Sequence, residues 1–400
     1  MPEIILALWN MNRFALLVFS VAALAVAAGC QKDETTSRDA DLAGVNVAVG
    51  EKGGSFSKLF VLNEGNFQKN NSTLDFLRFS DGNYVSDAFG SMNPAVVQGL
   101  GDTGNDLALN DGKLWLVMNG SGYVHVLDAK DETLVASIAV PDPRFIAFDS
   151  DHAYVSSYAG AIYGGDEKKG KVFRIDLKTY KIDGEVEVGC QPEGVAVAGG
   201  VLYVANSGGY NYVHENTVSV IDLGTFKVIE NMEVASNLHY MATDSKGRIW
   251  VSSYGESSWS QDDAGNWVQS MSEPMGLYMA TYLSIPKTVQ AVKDVHVSCM
   301  VMAGQYIYAI GNAAEMTGGY DNTLYKVSLT DLSVTATSLS KTDAAQVGNP
   351  YGICVNLEGG DIYIADADYT GPGKVWCFTK DLKKKWVAVA GMLPAHMVIY

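Results

Sequence analysis

The sequence is poor in basic residues. It contains 28 Lys and Arg against 45 Asp and Glu, which leaves a formal net charge of −17 at pH 7. A chain with so large an acidic excess lacks the basic surface that phosphate backbones and anionic lipid headgroups require. We therefore expect neither nucleic acid nor an anionic membrane surface to be a direct partner.

The short motifs of common catalytic and cofactor sites are also missing. The chain has no GxSxG motif, no P-loop and no glycine-rich dinucleotide fingerprint after a strand. It has no CxxC or Cys/His spacing of the kind that holds structural zinc. Of its six histidines, only His239 and His396 occupy matching positions of a repeated unit, and neither has a carboxylate at a fixed spacing. We predict a protein that is not an enzyme and has no catalytic residue, cofactor or metal site.

Long apolar runs are confined to the N-terminus. Arg13 precedes an apolar stretch that ends in small residues directly before Cys30. This order is typical of a secretory signal peptide, and small residues before a cysteine resemble a bacterial lipobox. We predict a signal peptide over residues 1–29, cleavage before Cys30 and lipidation of that cysteine. Met11 is an alternative start of the chain.

The segment after Cys30 indicates where the anchored protein resides. Gln31-Lys32-Asp33-Glu34 resembles the short tag that directs some lipoproteins of Gram-negative bacteria to the outer face of the outer membrane. Residues 30–55 are rich in Asp, Thr, Ser, Ala and Gly, which is typical of a flexible tether. We expect a cell-surface protein held in the outer membrane by its lipid alone, with a single domain over residues 56–400.

A repeated unit of about fifty residues organises that domain. One half of the unit is a hairpin such as 218–229, with similar copies at 172–182 and 124–135. A second hairpin precedes each copy, as in 192–206. Four short alternating strands in each unit are the signature of a β-propeller blade. The sequence therefore predicts an all-β propeller of four-stranded antiparallel blades.

Counting the units gives the number of blades. Six units are complete, and the fourth is enlarged by an insertion around 259–274. Residues 59–89 contain only later strands of a unit, whereas 394–400 resemble a lone first strand. Pairing the two ends completes a seventh blade and removes a free sheet edge. We predict a seven-bladed ring closed by the C-terminal strand.

The cysteines other than Cys30 are expected to be free. Cys354 would lie on the first strand of its blade and Cys377 on the third, about 9.6 Å apart at the usual strand spacing. A disulfide requires Cα atoms within about 7 Å of each other. Cys190 and Cys299 fall on a loop and a first strand of other units.

In a propeller, the loops that enter the first strands and leave the second strands meet on one face around the axis. Here they are rich in Asn, Ser, Tyr and Gly, which suit a large neutral ligand with many hydrogen-bonding groups. Asn-Gly and Ser-Gly pairs also form turns without any ligand, and Asp366 and Asp368 could instead hold Ca²⁺. The candidate ligand-binding residues are Asn63, Glu64, Asn66, Asn119, Arg144, Tyr158, Asn206, Tyr210, His239, Tyr254, Trp259, Asn312, Tyr351, Asp366, Tyr369 and His396.

Two segments carry a resemblance to a known family. Leu59 to Leu74, with its Val-Leu-Asn-Glu-Gly-Asn opening, and Asn349 to Lys385 are similar to the YncE-like surface propeller lipoproteins of Gram-negative gut-type bacteria. The BtuG group of that family binds cobalamin and sits over a TonB-dependent outer-membrane transporter. The resemblance implies capture of cobalamin (vitamin B12) or a related corrinoid for such a transporter. A glycan, with Tyr158, Tyr210, Tyr254 and Trp259 as stacking platforms, remains an alternative ligand, and a propeller hydrolase or lyase is a further alternative.

Overall fold

The computed structural model describes residues 45–46, 56–159, 168–211, 213–261, 265, 267–317 and 319–400. The predicted signal peptide, Cys30 and most of the predicted tether lie outside these residues. None of the helices in the described ranges is long and apolar enough to cross a membrane.

The described strands form seven antiparallel blades in a ring, as predicted. From the innermost strand outward, blades 1 to 3 consist of Gly104–Asn110, Lys113–Met118, Tyr123–Asp128 and Leu134–Ala139; Pro143–Phe148, His152–Ser157, Lys171–Asp176 and Lys181–Glu187; and Pro192–Ala198, Val201–Asn206, Thr217–Asp222 and Lys227–Glu233.

In the same order, blades 4 to 6 consist of Leu238–Thr243, Ile249–Ser253, Gly276–Thr281 and Thr288–Val292; Cys299–Ala303, Tyr306–Asn312, Asn322–Ser328 and Val334–Ser338; and Pro350–Val355, Ile362–Asp366, Pro372–Phe378 and Lys384–Met392. The predicted insertion in blade 4 is a hairpin of Glu256–Gln261 and Trp267–Glu273.

Blade 7 is shared by the two ends of the domain, which confirms the predicted closure. Its strands, from the axis outward, are Pro394–Ile399, Lys58–Asn63, Thr73–Arg78 and Asn83–Val85, with Val45–Asn46 added at the outer edge. A short helix, Ala88–Met92, leads to blade 1, and 3-10 turns occupy Glu315–Thr317, Leu339–Lys341 and Asp343–Gln346.

The hydrophobic core is divided among the interfaces between neighbouring blades. The described residues form seven buried clusters, one at each interface around the ring. Successive side chains of a strand point to opposite faces, so an inner strand between two neighbours buries both faces. Val201–Asn206 is accordingly buried along its whole length, whereas the outermost strand Lys181–Glu187 is mostly exposed. Blade 7 has a buried cluster on each side, so both interfaces depend on its closure.

The cysteines lie as the strand spacing predicts. Cys354 pairs in register with Tyr363, which in turn pairs with Cys377, so the two cysteines are two strands apart. These two residues, Cys190 and Cys299 are buried thiols, and none of the four forms a disulfide.

Candidate functional site

The first strand of each blade begins where the second strand ends, so the loops at these points share one face of the ring. Pro192 lies opposite Asn206, Leu238 opposite Ser253, and Pro350 opposite Asp366. The innermost strands contact one another around the axis. This face, which we call the mouth, is where the sequence placed the candidate ligand-binding residues.

A β-bulge recurs at the mouth end of the first strand. The pairing of first and second strands shifts register there in six blades, and blade 5 is the exception. The residue before the strand often has a left-handed backbone, as at Thr103, Gln191 and Asn237. Bulges redirect side chains, and backbone conformations unusual for non-glycine residues concentrate at functional sites. The shifted segments carry Asn105, Arg144, Glu193, His239, Tyr351 and Ala395.

A buried ion pair links blades 2 and 3 at the mouth. Arg144 donates two hydrogen bonds of 3.0 Å, from Nε and Nη2, to the carboxylate of Glu193. The Tyr158 hydroxyl donates to the same carboxylate, and its ring lies 4.8 Å from the Arg144 guanidinium carbon. Asn105 donates to the Arg144 carbonyl at 2.7 Å. Arg144 Nη1 is buried without a hydrogen-bond partner.

Opposing effects set the charge of this pair. Burial alone would raise the pKa of Glu193, but Arg144, followed by His239, holds it below its usual value. Burial would lower the pKa of Arg144, but the Glu193 carboxylate raises it. Both side chains are therefore charged at neutral pH, and their charges cancel within the pair.

His239 continues the cluster into blade 4 as a neutral imidazole. Its Nε2 lies 3.9 Å from Glu193, and its ring packs against Tyr240 and Tyr254, each with centroids 4.4 Å away. Burial lowers the pKa of His239 to about 4, although Glu193 opposes the shift. Its Nδ1 atom is buried and unpaired.

A second cluster lies across blades 6, 7 and 1. Tyr351 donates a hydrogen bond of 3.0 Å to Glu64. The two ring nitrogens of His396 lie 3.7 Å from Glu64 and 3.9 Å from Asp106, distances too long for hydrogen bonds. Tyr369 packs edge-on against Tyr351 with centroids 6.3 Å apart. Burial raises the pKa of Asp106, although His396 and two backbone N–H groups oppose the shift.

The predicted amide residues, most of which end a second strand, hydrogen-bond to other residues of the propeller. Asn63 donates to Thr73, Asn119 to the Pro143 carbonyl, and Asn312 to the Gly319 carbonyl. Asn206 is fully buried and donates to two hydroxyls. These contacts hold neighbouring strands, loops and blades together.

The remaining candidates differ in their exposure. Asp366 is buried and accepts from the Trp376 indole and the Asn349 backbone. Asn66 is half-buried in a loop where its N–H donates to Asn71. Tyr210 is half-buried and packs edge-on against Tyr158. The side chain of Trp259 lies outside the described residues.

The hairpin inserted in blade 4 is fixed at both of its ends by a histidine–carboxylate pair. At its start, Glu256 lies 2.9 Å from His214 of blade 3. At its end, the Met275 N–H donates to Glu315, which also lies 2.7 Å from His296. Sequence reasoning missed these pairs, and it missed Asn105, Asp106 and Tyr240. Asn105, Asp106 and Tyr240 could have been predicted from the sequence, because each lies near the start of a first strand.

The described residues contain one group of three side chains close enough to hold a metal ion. His152, Asp176 and Asp183 bring their ligand atoms within 4.8 Å of one another. They lie at the end of blade 2 opposite the mouth, and Asp183 already pairs with Arg174 at 2.8 Å. His239 and His396 do not belong to such a group.

Solved structures with a similar fold share little sequence with this chain. A proposed 6-phosphogluconolactonase from Bacteroides fragilis has a TM-score of 0.55 at 12% identity, covering 88% of this chain and 100% of that one. AztD from Citrobacter koseri has a TM-score of 0.51 at 12% identity, covering 86% of this chain and 98% of that one. Hydrazine synthase from Kuenenia stuttgartiensis has a TM-score of 0.51 at 18% identity, covering 70% of this chain and 77% of that one. At such identities the likeness shows the propeller fold alone.

A search of curated proteins gave no match. A family model described as a domain of unknown function, DUF5074, matches residues 57–267, which is more than half of the chain. The chain therefore belongs to the DUF5074 family.

Proposed function

We propose that this protein captures a ligand at the mouth of its propeller, and that the ligand is cobalamin or a related corrinoid destined for a TonB-dependent outer-membrane transporter. The observation that carries the proposal is the convergence of polar and aromatic side chains from six bulged strands on one face. A broad site assembled on a rigid ring favours a large, rigid ligand, which loses little conformational freedom on binding.

The charge pattern disfavours a substrate with a phosphate monoester, which is close to doubly charged at neutral pH. Arg144 is the only Arg or Lys at the described mouth ends of the first strands, and both its Nε and Nη2 atoms are committed to Glu193. A phosphate-recognising enzyme needs cations that are free to pair with the substrate. We therefore favour ligand capture over the lactonase activity for which the similar Bacteroides fragilis protein is named.

The resemblance to the BtuG group tilts the choice toward a corrinoid. Its first segment supplies Glu64, and its second supplies Tyr351 and Tyr369. Tyr351 donates to Glu64 and packs against Tyr369, so residues from both segments lie together at the mouth. The amide arms of a corrin would find hydroxyl and carboxylate partners there.

The N-terminal sequence supports a location at the cell surface. We propose that Cys30 is lipidated and that the protein is anchored on the outer face of the outer membrane, where a captured ligand could pass directly to a transporter. The net charge of −17 suits a protein that extends from an anionic surface instead of lying on it.

Calorimetry with cyanocobalamin and a panel of neutral oligosaccharides tests the ligand. We expect cyanocobalamin to bind. Tyr254→Ala should weaken this binding at least tenfold, because the aromatic ring that packs against His239 at the mouth is lost. Tyr306→Ala is the matched control, since Tyr306 begins a second strand at the opposite end of blade 5. No heat with cyanocobalamin and clear binding of a sugar would contradict the corrinoid proposal and favour the glycan alternative, which the Tyr158–Tyr210 pair could support.

A further inference from the structure

A cavity of about 230 Å³ lies on the propeller axis at the mouth, and its wall includes the bulged residue Ala395. Innermost strands of all seven blades line it. Its volume is below the roughly 300 Å³ at which pockets for drug-sized ligands begin. It can therefore hold a small molecule or one arm of a larger ligand, but not a whole large ligand.

The cavity wall changes character along the axis. Asp106 and His396 line the cavity directly after the bulged residues Asn105 and Ala395, where the second cluster is located. The rest of the wall, from the innermost strands of several blades, includes the apolar side chains of Ile146, Met300 and Met397. A ligand that matches this wall has a polar head at the mouth end and a short hydrocarbon chain below it.

The polar end of the cavity carries negative charge without a matching cation. Among the described residues, neither Glu64 nor Asp106 has a Lys or Arg within 4.0 Å, and only His396 lies that close. Asp106 accepts one backbone N–H on each carboxylate oxygen, from Leu107 and Ile146. Each oxygen can accept a further hydrogen bond. The contrast with Glu193, which Arg144 neutralises, indicates that this side of the mouth suits a cation.

We propose that the axial cavity is a subsite for an alkylammonium group, with the ammonium donating to Asp106 and the carbon chain lying among Ile146, Met300 and Met397. Glu64 adds attraction from the far side of His396. An ammonium suits the site better than a metal ion, because the described His, Cys, Asp and Glu side chains at the cavity do not bring three ligand atoms within 4.8 Å. The proposal goes beyond corrinoid capture and does not depend on it.

Three probes of similar length test the subsite on the purified mature chain: n-butylammonium, n-butanol and butyrate, measured by NMR titration or calorimetry. We expect millimolar binding of n-butylammonium, at least tenfold weaker binding of n-butanol, and no binding of butyrate. Equal binding of n-butanol would overturn the proposal, because the cavity would then select only for apolar chains. Absence of n-butylammonium binding would also overturn it.

Variants locate the interaction. Asp106→Asn should weaken n-butylammonium about tenfold, since it removes the charge that accepts the ammonium. Glu64→Gln should weaken n-butylammonium binding less than Asp106→Asn does. It still tests the proposal if the Asp106 variant does not fold. Ala108→Leu, which adds volume to the cavity wall, should reduce binding as well. Glu185→Gln removes a charge from the outermost strand of blade 2 and should leave binding unchanged. Loss of binding in the Glu185 variant alone, or unchanged binding in both the Asp106 and Glu64 variants, would overturn the proposal.

Discussion

Removing one partner of the buried pair of Arg144 and Glu193 should destabilise the protein strongly. Glu193→Gln preserves the shape of the side chain but removes its charge, so the Arg144 guanidinium is left buried without a counter-charge. Arg144 is 5% exposed and Glu193 4% exposed, so water can replace little of the lost interaction.

The magnitude follows from this geometry. Two charges about 4 Å apart interact by about 4 kcal/mol at an effective dielectric constant of 20. Removal of one partner of a buried pair typically costs about 3–5 kcal/mol. We therefore expect Glu193→Gln to lower the free energy of unfolding by about 4 kcal/mol. Replacing both partners together, as Arg144→Met with Glu193→Leu, should cost clearly less than the single change, because no charge is left unpaired.

Chemical denaturation, monitored by circular dichroism and tryptophan fluorescence, measures these values. The matched control is Glu185→Gln, which breaks a surface pair with Lys171 whose atoms lie 2.6 Å apart. Exposed pairs contribute at most about 1 kcal/mol, so this variant should be close to the wild type. A loss below about 1 kcal/mol for Glu193→Gln, or a double variant that is less stable than the single one, would refute the reasoning.

The pH dependence gives a second readout of the same pair. The folded-state pKa of Glu193 lies below its usual value of 4.5. Its stabilising contribution is therefore complete above the unfolded-state pKa and is lost as the pH falls through the lower folded-state value. The wild type should lose this contribution in acid, whereas the double variant should not.

Three further predictions concern other parts of the chain. Deletion of 394–400 should unfold or aggregate the protein, because it removes the innermost strand of blade 7, and unchanged thermal stability would argue against the closure. Cys30→Ala should abolish membrane attachment, and protection of the wild-type protein from protease added to intact cells would argue against surface exposure. His239 should show no NMR titration above about pH 5, since its pKa is about 4. Because the unfolded chain takes up that proton near pH 6.5, stability should fall by about 3 kcal/mol as the pH drops from 6.5 to 4, and His239→Gln should remove this dependence.

The blades could be predicted because their signals are local. Asp176 and Asp222 recur at the same point of the unit, and each accepts hydrogen bonds from a Thr three residues later within the hairpin turn. Such turns, together with alternating apolar residues, specify a hairpin wherever they occur. Ring closure was predictable for a related reason, since an incomplete unit at each end implies that the two ends pair.

The arrangement of the site could be predicted only in part. The sequence placed Arg144 and His239 among the candidate residues, but it did not show that Glu193 lies between them. Arg144 and Glu193 are 49 residues apart, and they meet because both strands are bulged at the mouth. The amides of Asn63 and Asn206 were predicted to contact a ligand, but both hydrogen-bond within the protein. An amide that fixes a loop and one that binds a ligand have the same sequence signal, and only the structure reveals their internal partners.

Ring closure and the chemistry of the mouth are coupled through the C-terminal strand. Pro394–Ile399 pairs with Lys58–Asn63 to complete blade 7, and the same strand carries His396 to the axis between Glu64 and Asp106. The pairing of these two strands has a bulge at Ala395, which lies between the paired residues Pro394 and His396. The closing strand therefore contributes both to stability and to the negatively charged side of the mouth. A truncation cannot separate these contributions, whereas the charge substitutions at Asp106 and Glu64 leave the strand intact and report on the site alone.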